Sequence, residues 1–216
     1  CKRIGGRVMY DYLPLPKLSK MFNCMQYPSP SKVWRTLNAK ENEAMQRMMK
    51  NKNSPLGKAV REGRKAHATL EHNTAKDEYQ QAILDIFNKE IGIDIDEVWA
   101  KEKGVISKEN KFRGQFDGVG VFRGKTTVWD YKKTNQIKTP SQMKNYIKQC
   151  SAYAIAHDEM YGTEIEQIAV LNIGGKSKDE LCTNVTTYDL HDGLRQMFLC
   201  DLKQYYRMTE THEPLP

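Results

Sequence analysis

A predicted β-hairpin organises the chain, and its sequence is Gly114-Gln115-Phe116-Asp117-Gly118-Val119-Gly120-Val121-Phe122-Arg123-Gly124-Lys125-Thr126-Thr127-Val128-Trp129-Asp130-Tyr131-Lys132. Apolar and polar residues alternate on both sides of the Arg-Gly dipeptide, which predicts strands over residues 112–122 and 125–132 with that dipeptide at the tip. A two-residue turn pairs Phe122 with Lys125, and this pair sets the register of every other pair in the hairpin.

That register places two acids and a lysine close together. Asp117 is predicted to lie directly opposite Asp130, and Lys132 projects from the same face as Asp130 because side chains alternate along a strand. Two close carboxylates repel each other unless a proton or a cation lies between them. Oxygen ligands suit Mg²⁺ or Mn²⁺, so a metal site is one interpretation. The alternative is a solvated hairpin with two acids and a salt-bridging lysine.

The composition limits the class of protein. The chain has 216 residues, with 34 Lys and Arg against 27 Asp and Glu, which gives a formal charge of +7. No apolar run approaches the roughly 20 residues of a membrane span, so an integral membrane protein is excluded. The five cysteines are odd in number and lack C-x-x-C spacing, which indicates reduced thiols in an intracellular compartment.

The pattern outside the hairpin predicts an α/β fold: a central mixed β-sheet flanked by helices, preceded by a helical N-terminal part. We expect an extended lead-in over residues 1–30 that holds a short helix at 17–24. The further predicted elements are helices at 31–50 (capped by Ser31), 56–90, 142–161 and 190–208, and strands at 98–102, 166–173 and 183–188. We expect one structural domain, divided into an N-terminal part at 1–92 and a core at 93–216.

The hairpin resembles the catalytic motif of the PD-(D/E)XK nuclease superfamily. Asp117 matches the first acid of that motif, Asp130 the second acid and Lys132 the lysine. The resemblance implies a restriction-endonuclease-like core, in which these three residues are catalytic and the two acids bind the metal. It also implies that the backbone carbonyl of Tyr131 is a third metal ligand.

Three further matches lie outside the hairpin. His67, followed by Glu71, is similar to the upstream histidine motif of RecB-type and Cas4-type members. Glu102 falls on the preceding strand, where such enzymes often carry an acid. The resemblance implies that His67, Glu71 and Glu102 are additional metal ligands. Gln149 and Tyr153 are similar to the Q-x-x-x-Y helix of these enzymes, which implies contact with DNA or support of the lysine.

The branch that this chain resembles most is that of the mitochondrial genome maintenance exonucleases and their phage and bacterial relatives. Leu15-Pro16-Lys17-Leu18-Ser19 resembles the opening motif of that branch, and Trp34 is similar to a tryptophan in its first long helix. The resemblance implies that Ser19 and Trp34 contact DNA. The cysteines lack the clustered C-terminal trio of Cas4-type relatives, so we expect no iron–sulfur cluster.

A basic segment favours a nucleic-acid partner. Residues 31–66 carry ten Lys and Arg against three Glu, and Arg61, Arg64 and Lys65 are candidate phosphate contacts. A solvated helix face is the alternative.

Together these features predict a Mg²⁺- or Mn²⁺-dependent exonuclease on single-stranded DNA, acting with replication, repair or recombination proteins. A structure-specific endonuclease and a non-catalytic DNA-binding module are alternatives. The expected location is the cytoplasm of a bacterial or phage-infected cell, with the mitochondrial matrix as the alternative.

Overall fold

The computed structural model describes residues 2–4, 7–9, 12–51 and 53–209 of the chain. The strands are β1 (Lys2–Ile4), β2 (Arg7–Met9), β3 (Ile95–Ser107), β4 (Phe112–Phe122), β5 (Lys125–Lys133), β6 (Gln167–Gly174) and β7 (Cys182–Asp189). The helices are α1 (Leu15–Met21), α2 (Pro30–Leu37), α3 (Ala39–Lys50), α4 (Pro55–His72), α5 (Glu78–Glu90), α6 (Pro140–Tyr161) and α7 (Asp192–Thr209).

The main sheet has five strands in the order β3-β4-β5-β6-β7. Strands β5 and β6 are parallel and are connected through α6, whereas the other neighbouring pairs are antiparallel. A parallel pair needs a crossover connection, and the 22-residue helix α6 provides it. The predicted α/β fold with a mixed sheet flanked by helices is therefore confirmed.

The hairpin has the predicted turn and register. Phe122 pairs with Lys125, and the ladder runs without a shift to Gly118 opposite Trp129. Arg123 and Gly124 have φ angles of 50° and 76°, the left-handed conformation that a type I′ turn requires at both central residues.

Helices cover both faces of the sheet, because the strands bury apolar side chains on each side. In β6, Ile168 and Val170 belong to a core cluster shared with α2, α6 and α7, whereas Ala169 and Leu171 belong to a second cluster shared with α4 and α5. Side chains of β6 thus alternate between the two faces of the sheet. Helices from the predicted N-terminal part and from the predicted core part pack on this same sheet.

Two predicted helices are each interrupted. The expected helix at 31–50 is divided at Asn38, whose side-chain amide donates to the carbonyl of Trp34 and competes with continuation of the helix. Its cap is Ser29, which accepts from the backbone N–H of Lys32, so the prediction of Ser31 was wrong. The expected helix at 56–90 ends at Asn73 in the left-handed conformation, and Asp77 caps a new helix.

The remaining helices and strands differ from the predicted ones mainly in the residues at which they begin and end. Helix α1 begins two residues before the predicted start and ends three residues before the predicted end, and β3 continues well beyond the predicted 98–102. The predicted extended lead-in contains a two-stranded antiparallel sheet of β1 and β2. Among the described residues, no helix combines the length and apolarity that crossing a bilayer requires.

We predict that Gly118→Ala destabilises the fold. A Cβ atom at this position would lie 2.1 Å from the indole of Trp129, which is fully buried in the core. The resulting overpacking lowers the free energy of unfolding by about 1–3 kcal/mol, measurable by urea denaturation.

Gly63→Ala is the matched control. A Cβ atom at this helical position meets nothing within 4 Å, so we expect a gain of about 0.5–1 kcal/mol. Equal unfolding midpoints for the two variants would contradict this account.

Candidate metal and catalytic centre

The ladder between β4 and β5 ends one pair before the two predicted acids. Asp117 Oδ2 instead accepts a hydrogen bond of 2.7 Å from the backbone N–H of Tyr131. Strand β4 remains paired with β3 beyond this point, through Phe116 opposite Lys103. The carboxylate of Asp117 therefore occupies the place of a backbone acceptor where the two hairpin strands separate, and the directly opposed acid pair is not part of the ladder.

Asp130 lies deepest in the centre and is only 1% exposed. Its Oδ2 forms an ion pair with the ammonium of Lys132, and its Oδ1 is buried without a hydrogen-bond partner among the described residues. The Lys132 ammonium also lies 4.9 Å from the centroid of the Tyr146 ring on α6. The catalytic lysine of the predicted motif is thus held between an acid and an aromatic face.

Helix α4 brings a histidine to the carboxylates. His67 Nε2 lies 3.0 Å from Asp117 Oδ2 and 3.2 Å from Glu102 Oε1. Glu71 follows four residues later on the same helix face, and His67, Glu71 and Glu102 offer ligand atoms within 4.8 Å of one another. Packing of the His67 ring against Tyr131, at 6.0 Å between centroids, orients the imidazole.

Glu102 reaches the centre through an irregularity in β3. The pairs on either side of it, Lys101 with Gly118 and Lys103 with Phe116, place Glu102 opposite Asp117. Its φ of 52° is unusual for a residue other than glycine within a strand. Gln115 donates a hydrogen bond of 2.6 Å to Glu102 Oε2, so one carboxylate oxygen is held while the other faces His67.

The charges of the centre compensate one another only in part. The hydrogen bond to Asp117, with the charges of Asp117, Glu102 and Asp130, outweighs burial and raises the pKa of His67 to about 9. Burial raises the pKa of Asp130 against the lowering effect of Lys132, and burial with the charge of Asp117 raises the pKa of Glu102. Protons are therefore held at a site rich in carboxylates, where a cation would otherwise supply the positive charge.

The residues present fit a hard divalent cation. The unpartnered Oδ1 of Asp130 is a buried acceptor with no donor among the described side chains, which is costly unless a ligand completes it. Carboxylate and carbonyl oxygens suit Mg²⁺ and Mn²⁺, whereas an imidazole ligand favours a transition-metal ion. His67, Glu71 and Glu102 form the candidate metal-binding group of this centre. The binding of an ion by Asp117, Asp130 and the Tyr131 carbonyl remains a prediction.

Two of the predicted DNA contacts are buried. Ser19 is fully buried and its hydroxyl accepts a hydrogen bond of 2.7 Å from Arg113. Tyr153 is 4% exposed and its hydroxyl accepts from Gln149 on the preceding turn of α6. Neither side chain offers a surface to DNA in this structure, because each is enclosed by packing of its helix. Gln149 is half-buried, and its contact with DNA remains a prediction.

The other predicted DNA contacts lie at or near the surface of the N-terminal helices. Arg61, Arg64 and Lys65 are exposed on α4, the helix that carries His67, whereas Trp34 is half-buried on α2. Their contact with DNA remains a prediction.

Sequence reasoning missed Gln115 and Tyr146. Gln115 stands two residues before Asp117 and holds Glu102, and Tyr146 stands one helical turn before Gln149 and faces Lys132. The helical spacing of three residues between Tyr146 and Gln149 was a usable signal. No comparable signal pointed to Gln115, because its contact depends on the irregular conformation of Glu102.

Comparisons with known proteins add little about function, so the assignment of function rests on the geometry of this centre. No family model matches the chain, and no curated protein matches it. Among solved structures, the chain is similar to one from Eubacterium rectale described as a "putative exonuclease", with a TM-score of 0.42 and 10% sequence identity. The similarity covers 62% of this chain and 56% of that one.

We predict that Mn²⁺ binds with an affinity that increases between pH 6 and pH 9. Below about pH 9 the imidazole of His67 is protonated in the metal-free centre, and an imidazole must be neutral to bind a metal, so binding releases that proton. Titration calorimetry in buffers of different ionisation enthalpy measures both the affinity and the released protons.

His67→Gln is the control for this proton. It removes the titrating imidazole, so we expect weaker binding, a shallower pH dependence and fewer released protons. An affinity of the unmodified chain that does not change with pH would contradict the prediction.

Proposed function

We propose that the chain is a divalent-metal-dependent nuclease that hydrolyses phosphodiester bonds in DNA, as the PD-(D/E)XK enzymes that it resembles do. One observation carries the proposal: the buried Asp130 has one carboxylate oxygen on Lys132 and the other without a partner. A buried carboxylate in that state is stabilised by a proton or a cation, and Asp117 and His67 are close enough for their charges to shift the pKa of Asp130.

The roles of the residues follow from their positions. A bound Mg²⁺ or Mn²⁺ would polarise the scissile phosphate and lower the pKa of its bound water. Burial disfavours the charge on Lys132, but Asp130 and Asp117 outweigh it and raise the lysine's pKa above its ordinary value. Lys132 is therefore cationic in the metal-free chain, suited to stabilise negative charge that develops on the phosphate. Asp130 and Tyr146 hold its ammonium in place.

The finer part of the proposal is an exonuclease on single-stranded DNA, in replication, repair or recombination inside a cell. It rests on the motifs shared with the genome maintenance exonucleases and on the basic segment at 31–66. A linear and a circular single strand distinguish the alternatives, because an exonuclease requires an end. Rapid cutting of the circle would replace this part of the proposal with an endonuclease.

We predict that Lys132→Ala lowers the rate of DNA cleavage by about 10²–10³-fold, the range expected when a group that stabilises charge developing in the transition state is removed. Cleavage of end-labelled single strands in Mg²⁺ or Mn²⁺ is the measurement, and EDTA should stop it.

Lys125→Ala is the matched control, because Lys125 is an exposed lysine of the same strand that pairs with Asp189. We expect it to cleave at the unmodified rate. Full activity of Lys132→Ala, or the absence of cleavage by the unmodified chain with either metal, would overturn the proposed function.

A further inference from the structure

A cleft leads away from the metal centre along one face of α4. Leu56, Val60 and Gly63 line it, and His67 continues the same face by one further turn. Residues spaced by three or four positions share a face of a helix, and Leu56 and His67 are separated by roughly 16 Å along its axis. One helix face therefore connects the mouth of the cleft to the metal centre.

The opposite wall is the chain that follows the catalytic lysine. From Lys133 to Lys138 this chain leaves the sheet and leads to α6, and with α4 it encloses a cavity of about 610 Å³. Gly63 and Lys133 also border a small recess that reaches His67 and Lys132. The cleft and the metal centre therefore meet where Gly63 lies opposite Lys133.

The lining of the cleft is positive on one side and apolar on the other. Lys133, Lys138 and Lys176 contribute cations, and no described residue that lines the cavity is acidic. Lys133 donates to the carbonyls of Gly175 and Thr134, which fixes its position, whereas Lys176 is exposed. Leu56 and Val60 form the apolar side.

We propose that this cleft is the channel through which one unpaired DNA strand reaches the metal centre. The inference rests on the proposed function and names its substrate path. The lysines match a phosphate backbone, and the apolar face of α4 offers a surface to bases that only an unpaired strand exposes.

Gly63→Leu tests the channel at its junction with the metal centre. A Cβ atom there meets nothing within 4 Å, so the helix tolerates the change, while the longer side chain fills the junction with the centre. We expect the affinity for a fluorescent single strand in EDTA to fall by about tenfold or more, which is 1.4 kcal/mol. Mn²⁺ affinity should remain that of the unmodified chain, and thermal stability should not fall, because replacing a glycine within a helix favours the helix.

Ala68→Leu is the control, because Ala68 is an exposed position on the same helix outside the cleft. It introduces the same side chain outside the cleft and should leave strand binding and cleavage unchanged. If Gly63→Leu and Ala68→Leu bound the single DNA strand with equal affinity, the proposal of a channel would be wrong.

The salt dependence of binding tests the lysines separately. We expect Lys138→Ala with Lys176→Ala to lower the slope of log affinity against log salt by about 0.7 for each lost phosphate contact. Lys125→Ala, outside the cleft, should keep the slope. Deoxythymidine monophosphate should bind far more weakly than a strand; equal affinity would indicate a nucleotide pocket and overturn the channel.

The outcomes separate the two proposals. If the unmodified chain cleaves DNA while the cleft variants bind as it does, the channel is wrong and the nuclease stands. If the unmodified chain binds single strands without cleaving them, and the cleft variants lose that binding, the channel stands and the nuclease is wrong.

Discussion

Repulsion among neighbouring carboxylates is the constraint on which the rest of the structure depends. Glu102, Asp117 and Asp130 come from three adjacent strands and meet where the ladder between β4 and β5 ends. Burial strengthens their repulsion, because little water remains to screen it. Two cations from different elements reduce this repulsion: His67 from α4 and Lys132 from β5. The arrangement of the candidate catalytic side chains therefore depends on the packing of α4 on the sheet.

Helix α4 brings His67 to the carboxylates because its buried residues and His67 lie on adjacent faces of the helix. Ala66 and Leu70 are buried against the sheet and α5, which fixes the height and rotation of the helix. That rotation places the face of Gly63 and His67 over the carboxylates and along the cleft. Gly63 has no side chain and borders both the cleft and the recess that reaches His67, so a large residue at position 63 would project between α4 and Lys133.

The sequence predicted features that depend on local periodicity and missed those that depend on how elements meet. The period of two and the Arg123-Gly124 turn were sufficient for the hairpin, its register and the convergence of Asp130 with Lys132. The end of the ladder at Gly118 was not predictable, because a side-chain acceptor, Asp117, replaces a backbone one there. The left-handed conformation of Glu102 has no signature in its residue type.

The energetic cost of the centre argues for a ligand. Buried charges are often replaceable by apolar residues without loss of stability, and a buried acceptor without a donor lowers stability outright. The centre contains both features, with Asp130 Oδ1 unpartnered and a left-handed Glu102 beside it. The surrounding core is otherwise regular, with Val128 and Trp129 fully buried next to Asp130. An unpartnered acceptor and a strained backbone, confined to the end of a basic cleft, are features of a ligand-binding site and are not needed for packing of the core.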